Sequence, residues 1–196
     1  GQGFCDEGQH ESPEEVFGAD GAAPLYRKSA LEDTKMPVFD GGGNESGKYE
    51  YFDEDFFAYK EEVDLAWRMR LFGWKAVYNP KAVAYHVRGS GESAALGWRG
   101  VIQERRKISS VAKTFSFRNQ RYMQLKNEWP IIFLKHLSHF FIKEILAWGY
   151  VLVFESAIFL KVVPQLLRNF LLMLKKRKYI IAHRRVVRKE MEKWFK

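Results

Sequence analysis

Three carboxylates, Glu61, Glu62 and Asp64, stand together in the stretch KEEVDLAWRMRLFGW from Lys60 to Trp74. A carboxylate near a helix N-terminus is stabilised in its charged form by the free amides and the dipole there. These residue types therefore suit an ionised general base or a metal ligand at neutral pH rather than a proton donor. Helical spacing places Glu61, Asp64, Leu65 and Arg68 along one face and turns Glu62 about 100° away from it. The neighbouring carboxylates need not do the same job. The pattern also has an ordinary explanation: acidic residues are favoured in any first helical turn, and Asp64 and Arg68 are spaced as an i,i+4 ion pair.

The elements that must position these groups can be read on either side. A helix is expected over Glu61–Phe72, with Gly73 as the C′ residue for which a left-handed conformation costs little. The aromatic-rich run ahead of it contains a short helical turn at Asp53–Phe57. Behind it, Trp74–Tyr78 and Val83–Val87 read as short strands separated by the turn Asn79–Pro80–Lys81. Upstream, VFGADGAAPLYRKSALEDT (Val16 to Thr34) reads as a strand end, a glycine turn, a strand at Ala23–Arg27 and a short helix from Ser29. DGGGNESG (Asp40 to Gly47) reads as a loop. The N-terminal half is therefore of α/β character.

The C-terminal half is helical in its patterning. Phe133, Leu137, Phe140, Phe141 and Ile145 recur at helical spacing, as do Val163, Leu166, Leu167, Phe170, Leu171 and Leu174. The longest uncharged run, Ile145–Phe154, is ten residues, against roughly 20 needed to span a bilayer. The tail KKRKYIIAHRRVVRKEMEKWFK mixes basic and aromatic residues, the pattern of an in-plane anchor on an anionic membrane surface.

Charge divides the chain. Residues 1–98 carry 10 Lys+Arg against 18 Asp+Glu, and residues 99–196 carry 22 against 6. This asymmetry suggests different partners for the two halves: a metal or polar substrate for the acidic one, polyanions for the basic one. Nucleic acid is not expected, because the basic residues are interleaved with long Leu, Phe and Ile stripes and no nucleic-acid motif is present. A single cysteine, Cys5, excludes an intramolecular disulfide framework and a cysteine-based zinc site. The opening GQGFCDEGQH is not a signal peptide, and its start at Gly1 reads as processing or a fragment.

The segment Phe52 to Gly89 closely resembles the C-terminal part of the catalytic domain in family 2 glycosyltransferases, above all bacterial rhamnosyltransferase-like and galactofuranosyltransferase-like members. The matching pieces are Phe52-Asp53-Glu54, Phe56-Phe57, Glu61-Glu62-Val63-Asp64-Leu65, Arg68, Gly73-Trp74, Pro80 and His86. Upstream, GADGAAPLYRKSAL resembles the strand and turn that precede them, and the tail after Arg118-Asn119-Gln120-Arg121 resembles the family's amphipathic C-terminal helices. The resemblance implies a partial GT-A-like α/β domain over residues 1–98, followed by a basic, membrane-associating helical tail over 99–196.

It also implies an inverting transfer of a sugar from a nucleotide-sugar donor to a lipid-linked or polysaccharide acceptor. The place would be the cytoplasmic face of a bacterial membrane, with the protein bound peripherally. By position Glu62 is the general base, one methylene longer than the Asp usual there, with Glu61 and Asp64 as its catalytic neighbours. His86 matches a histidine that joins the metal site in some members, and Mg²⁺ or Mn²⁺ would sit on the diphosphate. Asp20, Trp67, Arg68 and Arg88 are candidates for substrate contact. Arg118 and Arg121, like Arg88, are read either as phosphate contacts or as solvated basic surface. The family's opening β-α-β units and Asp-x-Asp motif do not occur before Gly18, so the isolated chain is expected to transfer no sugar and to bind nucleotide poorly. The competing expectation is a non-catalytic module that binds anionic lipid at a membrane surface.

Overall fold

Apolar residues at helical spacing through the second half of the chain build a set of helices against which the first half packs. The computed structural model describes residues 11–19, 21–40, 43–84 and 98–195. Its elements in chain order are β1 (Glu14–Val16), α1 (Lys28–Thr34), β2 (Met36–Phe39), β3 (Glu45–Glu50), a 3₁₀ turn (Glu54–Phe56), α2 (Glu61–Leu71), β4 (Ala76–Tyr78), α3 (Trp98–Lys107), α4 (Ser110–Asn127), α5 (Pro130–Lys135), α6 (Leu137–Phe154), α7 (Ser156–His183) and α8 (Arg188–Glu192). The architecture is mixed α/β, dominated by helix. Its strands form two antiparallel ribbons, β1 with β4 and β2 with β3, and the described residues contain no parallel sheet.

Most of the expected elements form. The helix over the acidic cluster ends where Gly73 adopts φ of +91°, as a C′ glycine should. Two expected strands do not form. Ala23–Arg27 is irregular: Pro24 removes a ladder donor and Leu25 is 97% exposed. Val83 and Ala84 are irregular too, and the rest of that expected strand lies outside the described residues. Conversely, the expected loop over 40–47 is cut short, because Glu45 already opposes Phe39 in the β2–β3 ribbon.

The boundary in charge is not a boundary in packing. One core cluster joins Met36, Phe56, Trp67, Leu71 and Phe72 of the acidic half to Tyr122, Met123, Ile132, Met173, Ile180 and Met191 of the basic half. Buried ion pairs reinforce it: Lys126 reaches Asp53 and Asp64, and Lys176 reaches Glu50, Asp53 and Asp55. Part of the charge that suggested separate external partners is thus spent between the two halves.

Contacts at matching heights fix the helix directions. Lys113 meets Glu155, Tyr122 meets Gln165 and Asn169, and Arg177 meets the Leu125 carbonyl, so α4 and α7 run parallel. α6 runs antiparallel to both, with Phe117 on Trp148 and Arg121 on Glu144 from α4, and Trp148 against Phe159 of α7. Glu155 is the single residue between α6 and α7. The charge that interrupts the apolar run therefore lies where the helix itself breaks, bound by Arg105 and Lys113 at 2.6 and 3.1 Å. As a result α6 and α7 are both long and apolar enough to cross a membrane by length and composition, and little of either apolar window is buried inside the protein.

Candidate active site

The approach to α2 is made by a strained turn. Phe57, Tyr59 and Lys60 have φ of 61°, 68° and 73°, a region in which each non-glycine residue costs on the order of 1–3 kcal/mol. Side chains from α4 hold the turn in place. The Asn119 amide donates to the carbonyls of Phe56, Ala58 and Tyr59 at 2.9, 2.8 and 2.7 Å. The Arg118 guanidinium donates to the carbonyls of Asp55 and Phe56 at 2.7 and 3.1 Å, and to Gln165 at 2.6 Å. Both side chains are buried. The RNQR segment therefore supplies neither solvated surface nor phosphate contacts at Arg118; it braces the entry to the acidic helix. Arg121 is likewise engaged, with Glu144 and the Phe117 carbonyl.

Downstream of this turn the three carboxylates diverge. Asp64 is fully buried; Lys126 donates to it at 2.8 Å and Asn127 at 2.7 Å, and Arg68 lies 3.6 Å away. A carboxylate so enclosed does not reach substrate, so Asp64 is an anchor of α2 onto α4 rather than a catalytic group. The i,i+4 spacing of Asp64 and Arg68 does become an ion pair. Arg68, proposed for substrate contact, is fully buried and donates to the Tyr51 carbonyl. Trp67 is also buried, packed edge-on against Phe17 and beside Phe195 at 5.2 Å between ring centres. Both belong to the core.

Glu61 and Glu62 remain half-exposed, and among the described residues neither forms an ion pair. Burial first, and then the neighbouring Glu62 carboxyl, push the Glu61 carboxyl up, while its own backbone amide offsets only part of this. Its buried Oε2 has no hydrogen-bond partner. At Glu61 desolvation therefore opposes the terminal dipole and outweighs it. Gly18 lies beside Ala66 of α2 and Gly21 beside Glu62. A Cβ on Gly18 would stand 2.3 Å from the Ala66 Cβ, and one on Gly21 3.2 Å from Glu62 Cγ. At Gly18 no side chain fits without displacing α2.

Asp53 behaves differently again. Burial would raise its carboxyl, but the ammonium groups of Lys126 and Lys176 overcome that and hold it well below the usual carboxylate range. Its neighbours Glu50 and Asp55 share Lys176. This acidic group already has its cations, and among the described residues no set of three or more His, Cys, Asp or Glu side chains is placed to hold a metal ion. Asp20, His86 and Arg88, the other candidate site residues, lie outside the described residues.

Sequence reasoning missed Asn119, Lys126 and Lys176. Asn119 carried a signal, since asparagine is a poor residue for a helix interior. The two lysines lay among many and carried none. No protein-family profile, no curated protein and no solved structure matches the chain.

Proposed function

We propose that the chain supplies the acceptor-side base of an inverting glycosyltransferase working at a membrane surface. The observation that carries this reading is the Glu61–Glu62 pair: two adjacent, half-exposed carboxyls without a cation partner among the described residues, mounted on a strained turn that Arg118 and Asn119 hold in place. Strain retained at such a position is characteristic of functional sites, and a carboxyl pushed up by a like neighbour is a recurrent feature of acid–base pairs.

In this reading Glu62 takes the proton of an acceptor hydroxyl. The hydroxyl oxygen bonds to the anomeric carbon of a nucleotide-sugar, and the bond to the diphosphate breaks with its electron pair leaving on the diphosphate. Glu61, holding its proton more readily, orients the hydroxyl through its unpartnered oxygen. The acceptor is lipid-linked or a growing polysaccharide. Radiolabelled sugar transfer, measured in the longest reading frame that contains this chain, tests the proposal. Transfer with inversion supports it, and failure to transfer from any nucleotide-sugar to membrane-derived acceptors overturns it. The chain alone is expected to be inactive.

A second observation favours attachment to a membrane, with or without catalysis. On α7 the residues Leu160, Pro164, Leu167 and Leu171 fall within an arc of about 60° and are all exposed. The buried Ile158, Val162, Met173, Lys176 and Ile180 face about 180° away. This apolar ridge points away from the core, and the exposed Lys161, Arg168 and Lys175 recur at heptad spacing along one flank. Cations distributed along the whole helix suit a helix lying in the interface better than one crossing it.

A further inference from the structure

Between α4, α5, α6 and α7 lies a cavity of about 460 Å³, within the range of about 300–1,000 Å³ typical of ligand pockets. We propose that it holds one acyl chain of an anionic membrane lipid. Leu125, Phe133, Phe140, Leu166 and Phe170 make its walls apolar, and water in such a space would lack hydrogen-bonding partners.

Of the five polar side chains in the wall, all but the Gln124 amide are engaged within the protein. Arg121 is bound to Glu144 and to the Phe117 carbonyl, and Arg177 donates to the Leu125 carbonyl. The Glu128 carboxyl accepts from the Trp129 amide, and burial pushes it toward its neutral form. A sugar or nucleotide would leave its own hydroxyls and phosphates unmatched in this interior. A hydrocarbon chain has no such need.

Two further observations identify the source of the chain. The cavity is continuous with the exposed apolar surface: Phe170 belongs to its wall, yet is 47% exposed and neighbours Leu167 and Leu171 on α7. Leu134 and Phe141, next to the wall residues Phe133 and Phe140, are exposed as well. An apolar chain entering here comes from the same hydrocarbon layer that the α7 ridge is suited to meet. The exposed Lys161 and Arg168 along α7 set the preference for an anionic headgroup.

The inference rests on the membrane-surface part of the proposed function and is independent of sugar transfer. The direct test is titration of the purified chain, without vesicles, with cis-parinaric acid, a fluorescent fatty acid. Saturable binding of one equivalent, displaced by palmitate, is expected. Gln124→Trp and Leu166→Trp fill the cavity from opposite helices, and each should abolish that binding while the chain still floats with vesicles of phosphatidylcholine and phosphatidylglycerol. Leu160→Glu, on the ridge and outside the cavity, should do the reverse. Absence of saturable binding to the wild-type chain overturns the proposal. So does binding that survives a filling variant whose thermal unfolding is unchanged. Displacement of the probe by self-association of the chain would assign the cavity to a helix of a second copy, and overturns it equally.

Discussion

At the residue scale, the acidic cluster separates into groups with different duties because their burial differs. Asp64 and Arg68 were legible as an ion pair from their spacing. That the pair would be fully buried was not, because its partners Lys126 and Asn127 are more than sixty positions away in sequence. Removing one member of a buried ion pair leaves an uncompensated charge, at a cost of about 3–5 kcal/mol. Asp64→Ala should therefore lower stability by an amount of that order in urea denaturation, whereas Glu62→Gln should leave the midpoint nearly unchanged. Equal loss in the two variants would contradict the division drawn between anchor and site. Glu61 shows the limit of local reasoning most clearly: the helix terminus alone would lower its carboxyl, and only the fold reveals the burial that raises it.

At the element scale, the helix over Glu61–Leu71 and the C-terminal helices were readable from periodicity and from Gly73. The strained turn ahead of α2 was not, because positive φ at Phe57, Tyr59 and Lys60 is imposed by hydrogen bonds from α4 and leaves no mark in local propensity. Asn119→Ala removes all three amide bonds from Asn119 to the turn. It should raise amide hydrogen exchange over residues 57–61 by more than over α7, and Asn119→Gln should not restore protection, since its amide is one methylene displaced. Uniform exchange across the chain would mean that Asn119 only stabilises the fold. The α7 ridge makes a separate claim. Leu167→Glu with Leu171→Glu should abolish flotation with anionic vesicles while leaving thermal unfolding within a few degrees of the wild-type chain, because neither side chain belongs to the core. Retained flotation would show that α7 is not the attachment surface.

At the scale of the whole molecule, part of the opposite charge in the two halves is internal cement, and its pH dependence follows from the shifted groups. The folded Asp53 carboxyl is held below its unfolded value. Its stabilisation is therefore fully present above the unfolded value of about 3.9 and is lost as pH falls below that point. Glu50, Glu61 and Glu128 are raised and act with the opposite sign: the fold gains stability as they protonate between neutral pH and their unfolded value of about 4.3. Denaturation midpoints should rise modestly as pH falls from neutral toward the unfolded value of about 4.3 and fall once pH drops below about 3.9. A monotonic decline from pH 7 downward would contradict the assignment. The charge asymmetry was plain in the sequence, but its resolution required knowing that the halves share one core. The central claim remains the chemistry of Glu62, and sugar-transfer kinetics of Glu62→Gln beside Glu62→Asp, in the longest reading frame containing the chain, test it most directly. The account predicts a fall in kcat of about a hundredfold to ten-thousandfold for Glu62→Gln, with KM little changed and substantial recovery in Glu62→Asp. Wild-type turnover in Glu62→Gln would contradict it.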